Sequence, residues 1–173
     1  MGAMTTAPPP VRDPAWPLSR TAIGLWVAQG VVGSVVLGVA AAVVALAVPS
    51  WAGGPFPVLR WLLPALLVVY AGTAIGIRPW VRYRVHRWEV TGDAVYTLTG
   101  WLTRTWTLVP IARIQTVDVT RGVLQQLFGL ASVAVLTASS QGTVRVPNLE
   151  LDVAQRMAED LARRAEAVRD EAT

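Results

Sequence analysis

The charged positions divide the chain before any motif does. No Asp, Glu, Arg or His occurs between Arg20 and Arg60, or between Arg60 and Arg78. The first gap holds an apolar run rich in Val, Ala, Leu and Gly from Thr21 to Val48. A helix needs about 20 such residues to cross a ~30 Å hydrocarbon layer, so this run predicts a span over 21–48. Ala45-Leu46-Ala47 resembles a signal-peptide cleavage site, but an apolar signal region is only about 7–15 residues long, which favours a retained anchor. Pro49, Gly53, Gly54, Pro55 and Pro57 then form a turn, and Trp61 to Ile77 is apolar again. Extended by Phe56, Val58 and Leu59, it predicts a second span over 59–77, with Pro64 in its first turns, where proline is tolerated.

Beyond Trp80 the period changes. Val81, Tyr83, Val85, Trp88 and Val90 alternate with Arg82, Arg84 and Glu89, which predicts a strand leaving the membrane directly. Val95–Leu98 and Leu102–Val109 flank Thr99-Gly100 as a hairpin, and Ile114–Val119, Val133–Leu136 and Thr143–Val146 are also β-rich. That makes about six strands. Asp152 and Gln155 fit a capping box, and Val153, Met157, Leu161 and Val168, with Ala154, Ala158 and Ala165, form an apolar stripe opposite Arg156, Glu159, Asp160, Arg163 and Arg164. The predicted organisation is a Pro-rich disordered tail over 1–20, a transmembrane hairpin over 21–78, a β-rich domain over 79–168 closed by a helix, and a short tail over 169–173.

Composition agrees with a membrane protein. Of the 173 residues 53% are hydrophobic and 15% charged, against about 25% charged in soluble domains. The net charge is +4, but the excess lies at the ends of the apolar runs instead of on one basic face, so nucleic acid is not the expected partner. Arg12 and Arg20 precede the first span, Arg60 alone lies between the spans, and Arg78, Arg82, Arg84 and Arg87 follow the second. Positive flanks remain inside, so both termini are expected in the cytoplasm of a multi-pass protein of the cell membrane. Trp16, Trp26, Trp51, Trp61 and Trp80 lie near the span ends, where interfacial aromatics are common. With no Cys and one His, His86, disulfides, thiolate metal sites, a Cys nucleophile and a multi-histidine centre are excluded. No paired carboxylates, phosphate loop or serine elbow stands near His86, so no catalytic residue, metal or cofactor is expected.

Small residues mark possible helix contacts. Gly30, Ser34, Gly38 and Ala42 recur every fourth residue in the first span, and Gly72 and Gly76 form a GxxxG in the second. Such faces let backbones approach closely, here to pack the hairpin or, alternatively, to join a second copy or a partner's helix.

The run Tyr96-Thr97-Leu98-Thr99-Gly100, then Val109-Pro110-Ile111-Ala112-Arg113-Ile114-Gln115-Thr116-Val117, then Leu124-Gln125-Gln126-Leu127-Phe128-Gly129-Leu130-Ala131, then Leu136-Thr137-Ala138 resembles the bacterial pleckstrin-homology-like (PH-like) domain of YdbS-type membrane proteins. The resemblance covers about Trp80 to Ala165, and the two preceding spans match the same layout. It implies a bent, partly open β-barrel plugged by a C-terminal helix, and a companion membrane protein with repeated copies of the domain. Gly100 suits the hairpin turn, Pro110 stops a strand, and Leu124, Leu127 and Phe128 suit an apolar helical turn ended by Gly129. Gln126 departs from the basic residue that the resemblance implies at this position, which weakens an anion site in that loop.

Two polar groups are candidate sites. Arg78, Arg82, Arg84 and Arg87 form a basic collar facing lipid, with Arg82 and Arg84 on one strand face. Arg113 and Gln115 alternate after Pro110 as a partner surface, although pairing of Arg113 with Asp118 or Glu89 is the commoner outcome for such a residue. The expected function is a membrane-anchored interaction module that recruits or organises a protein partner; the alternative is an anionic-lipid-binding module using the collar.

Overall fold

The computed structural model describes residues 12–47, 56–137 and 142–171. The tail before Arg12, the inter-span turn with Trp51, and Ala138 lie outside the described residues. Strand β1 (Trp16–Pro17) leads into helix α1 (Thr21–Ala47). The second long helix runs without a break through α2 (Phe56–Ala71), a π-helical turn (Gly72–Ile77) and α3 (Arg78–Val85). There follow β2 (Arg87–Val90), β3 (Ala94–Thr99), β4 (Thr105–Pro110), a 3-10 turn (Ile111–Arg113) and β5 (Ile114–Thr120). Helix α4 (Val123–Leu127), β6 (Leu130–Thr137), β7 (Thr143–Glu150) and α5 (Leu151–Glu171) complete the chain.

Helix α1 has two environments. Ala22, Leu25, Trp26 and Gly30 are buried, whereas Val31, Val32, Val35, Val36, Val39 and Val43 are exposed. Seventeen residues from Val31 to Ala47 rise roughly 25 Å at 1.5 Å each, close to the hydrocarbon thickness. The exposed length is therefore the membrane part, and the first third belongs to the folded domain. Both long helices have the length and apolar composition to cross a membrane, Thr21–Ala47 and Trp61–Val85. Because α2 begins at Phe56, Pro64 lies inside the helix instead of in its first turns, which is tolerated in membrane helices. Pro79, near the start of α3, supplies no N–H to the turn before it, and the wide π-turn over Gly72–Ile77 is where that irregularity is absorbed.

The close approach of the helices centres on Gly30. A Cβ there would lie 2.8 Å from the Ala74 carbonyl oxygen, so only glycine permits this contact. Gly33, which the small-residue pattern missed, lies against the Tyr70 hydroxyl, and Gly38 against Leu67. The Ser34 hydroxyl donates 2.8 Å to the Gly30 carbonyl and so is used within α1. Gly72 and Gly76 correct the expectation for the GxxxG: they are exposed, and a Cβ at either would meet nothing within 4 Å. That motif does not pack the hairpin.

The expected strand from Trp80 to Val85 is helix. The chain leaves the apolar run already helical, so propagation adds a hydrogen bond per residue without a new nucleus, and Arg is a good helix former. The extended backbone begins only at His86, with φ −90° and ψ 120°.

The domain has two antiparallel sheets, ordered β1-β2-β3-β4 and β5-β6-β7. They are not closed into one continuous barrel, which is broadly consistent with the expected bent, partly open arrangement with a C-terminal helix. Gly100, at φ +91°, makes the turn between β3 and β4, where a Cβ would collide with the Thr103 carbonyl. Helix α5 lays Ala154, Met157, Leu161 and Ala165 into the core, which also contains Val95, Val109, Leu130, Val133, Val135 and Val146. Leu18, Ala22, Leu25 and Trp26 belong to the same core. Arg164 fastens α5 by donating 3.2 Å to the Thr91 carbonyl while pairing with Asp160.

Several boundaries differ from expectation. Val168 is exposed, so the buried stripe ends a turn earlier. The helix continues to Glu171, into the expected tail. Residues 12–20 are also structured: the Ala15 N–H donates 3.0 Å to Glu89, Arg12 pairs with Glu89, Pro14 and Leu18 are buried, and Trp16 pairs with Trp88 across β1 and β2. A proline-rich segment needs no N–H groups of its own to lie along a sheet edge, which composition does not reveal.

Candidate functional site

The collar arginines follow from the helix. Residues two apart are about 200° apart around a helical axis, so Arg82 and Arg84 occupy opposite faces instead of one. Arg78 and Arg82, four apart, share a face. The Arg82 guanidinium lies 5.3 Å from the centroid of the Trp26 ring, a favourable cation–π distance. His86 caps α3, its Nδ1–H directed to the Arg82 carbonyl at 2.8 Å, and its ring packs at 6.4 Å from Trp26. Burial lowers the His86 pKa below its ordinary value, only partly opposed by that hydrogen bond. His86 thus joins α3 to α1, a structural role.

Where the long helices meet, a cleft of about 100 Å³ is lined by Trp26, Gln29 and Gly30 from α1 and by Tyr70, Ala74, Arg78, Pro79 and Arg82 from the second helix. Sequence reading missed it because its walls come from separate segments. The signal was there in Arg78 and Arg82, once α3 is known to be helical.

A second feature lies on β4, an edge strand. Its partner is β3, with Leu98 opposite Trp106 and Tyr96 opposite Leu108. Thr107 and Val109 turn toward the interior, leaving Trp106 43% and Leu108 40% exposed. Trp101 and Leu102 in the adjoining turn are exposed too. The segment over 12–17 reaches the same face, where Arg12 lies over the Tyr96 ring and the Trp106 indole N–H donates 3.2 Å to Asp13.

Arg113 and Gln115 are separated by the structure. Arg113 belongs to the 3-10 turn and Gln115 to an irregularity between Ile114 and Thr116, where the register of β5 shifts. Both are exposed. Among the described residues Arg113 makes no ion pair, and Glu89 is taken by Arg12. In the α4 segment, Leu124 and Phe128 pack on the core, but Leu127, expected beside them, is 76% exposed. Gln125 explains that motif: its amide donates to Ser132 and to the buried Asn148 at 2.8 and 2.7 Å. Asn148 holds φ +54°, so Gln125 secures a strained strand position. Gln126 is exposed. Among the described residues no group of three or more His, Cys, Asp or Glu could hold a metal.

The model of the Bacterial PH domain family matches residues 22–165. That match starts inside α1, so the family unit includes the long helices as well as the sheets. The "UPF0699 transmembrane protein YdbS" of Bacillus subtilis (strain 168) is 31% identical over 123 residues, 71% of this chain and 72% of that protein. No solved structure matches significantly. The chain therefore belongs to the bacterial PH domain family, as a transmembrane member in which the start of the first long helix is built into the PH-like core.

Proposed function

We propose that this protein is a membrane-anchored, non-enzymatic interaction module that recruits or organises a protein partner at the cytoplasmic membrane face. The observation that carries this reading is the exposure of Trp106 and Leu108 on an unpaired edge strand. An edge presents unpaired backbone groups that an extended segment of another chain can complete, while side-chain pockets give selectivity. Large apolar groups at such a place contribute binding energy, and tryptophan is among the residues most enriched in interface hot spots. The buried start of α1 ties this surface firmly to the membrane helices. The arginines outside the spans support the cytoplasmic orientation. A membrane protein that carries repeated PH-like domains is the companion chemistry we favour. Arg113, on the 3-10 turn before β5, and Gln115, at the register shift of β5, are exposed polar positions that offer a second site of contact.

Co-purification from native membranes in mild detergent tests the reading. Leu108→Ser with Trp101→Ser is expected to reduce recovery of the partner at least tenfold, since hot-spot truncations cost about 2 kcal/mol or more. Changing Arg82, Arg84 and Arg87 together to Gln should leave the partner bound. If that triple variant stays inserted but loses its partner while the β4-face variant keeps it, membrane-surface recognition replaces the reading.

A further inference from the structure

We infer that the cleft between the long helices binds the phosphate of an anionic membrane phospholipid, independently of the partner reading above. Its depth in the bilayer is fixed by α1. Burial against the domain core ends at Trp26, Gly30 is buried against Ala74 of the second helix, and lipid-type exposure begins at Val31, so a cleft containing Gln29 and Gly30 lies where headgroups meet hydrocarbon. A free anion in water reaches this level less readily than a lipid already in the leaflet.

The lining has the chemistry of a phosphate site. Arg78 and Arg82 contribute two guanidinium groups from successive turns, Gln29 and Tyr70 can donate hydrogen bonds, and no carboxylate lines the cleft. Among the described residues neither arginine makes an ion pair. Arg82 is held in place by its cation–π contact with the Trp26 ring, and its guanidinium N–H groups can bind an oxygen ligand. Two like charges four residues apart repel, and an anion between them relieves this. The cleft, about 100 Å³, is several times the roughly 10–15 Å³ that a single water needs, which leaves room for a tetrahedral phosphate. Ala74 and the Tyr70 ring continue its wall toward the apolar region, where a glycerol and acyl chains would follow. Arg84, on the opposite face of α3, is outside the site, which distinguishes it from a diffuse collar.

Native mass spectrometry of the full chain in mild detergent tests this with phosphatidylglycerol and phosphatidylcholine of identical acyl chains. The parent protein should retain phosphatidylglycerol about tenfold or more in preference. Arg78→Gln with Arg82→Gln should lower that retention by about 30-fold, at about 1 kcal/mol per lost guanidinium–phosphate contact, while Arg84→Gln with Arg87→Gln, which do not line the cleft, stays within about twofold of the parent because solvent and salt screen charges outside it. Arg78→Lys with Arg82→Lys should recover part of the loss. If the double Gln variant does not melt as cooperatively as the parent, Arg78→Gln alone decides, with an expected loss of about fivefold. Retention by the Gln variants, an equal loss in the Arg84 and Arg87 control, or equal binding of phosphatidylcholine would overturn the proposal. Displacement of the lipid by millimolar inorganic phosphate would overturn the lipid assignment and leave a soluble-anion site.

Discussion

Leu161→Asp is expected to unfold the PH-like domain while leaving the membrane helices inserted. Leu161 is fully buried in the centre of the core, between Met157 and Ala165 on α5. Truncating a buried Leu costs about 2–5 kcal/mol, and an uncompensated carboxylate adds the penalty of burying a charge. The sum is comparable to the whole stability of a domain, about 5–15 kcal/mol. Arg163→Asp is the matched control. Its side chain is 75% exposed and only 3.5 Å from Asp160, an exposed pair of the kind worth about 0–1 kcal/mol. Limited proteolysis of the full protein in detergent should cut the Leu161 variant rapidly within the domain and leave the Arg163 variant near the parent. Similar resistance of the two would remove α5 from the core.

Gly30→Leu is expected to separate the long helices. The new Cβ would lie 2.8 Å from the Ala74 carbonyl oxygen and 3.0 Å from its carbon; because these are backbone atoms, the helices must move apart. Overpacking of this kind costs about 1–3 kcal/mol or more, and here it also disturbs Trp26 and the domain core one turn away. Gly72→Leu meets nothing within 4 Å and should be silent in the isolated protein. Thermal unfolding in detergent, followed by tryptophan fluorescence, should show a large drop in melting temperature for the first and almost none for the second. Equal effects would mean that the GxxxG face, not Gly30, packs the hairpin.

What was legible in the sequence follows from how local each signal was. The first apolar run carries no charge for longer than a bilayer requires, and the second, between Arg60 and Arg78, for about the shortest length that can cross, so the spans were plain. The stripe on α5 was legible because burial there follows one helical face. Residues 80–85 were misread because Val81, Tyr83 and Val85 alternate with arginines as strand residues do, and no local signal shows that a helix persists past the membrane. That error hid the cleft, since Arg78 and Arg82 share a face only in a helix. Alternation on β4 was visible, but not that Trp106 and Leu108 would face outward; that depends on β3 and on the segment from Arg12 to Pro17. Gln125 stands within a recognisable motif, yet its role requires Asn148, which lies 23 residues away.

The central claim, that the β4 face meets a protein, is tested most directly by photo-crosslinking in intact cells with a photoreactive residue at Leu108 and, as a control, at Glu159, exposed on α5. The account predicts a discrete protein adduct from position 108 that is absent from position 159. Only lipid adducts from position 108, or no adduct at all, would contradict it.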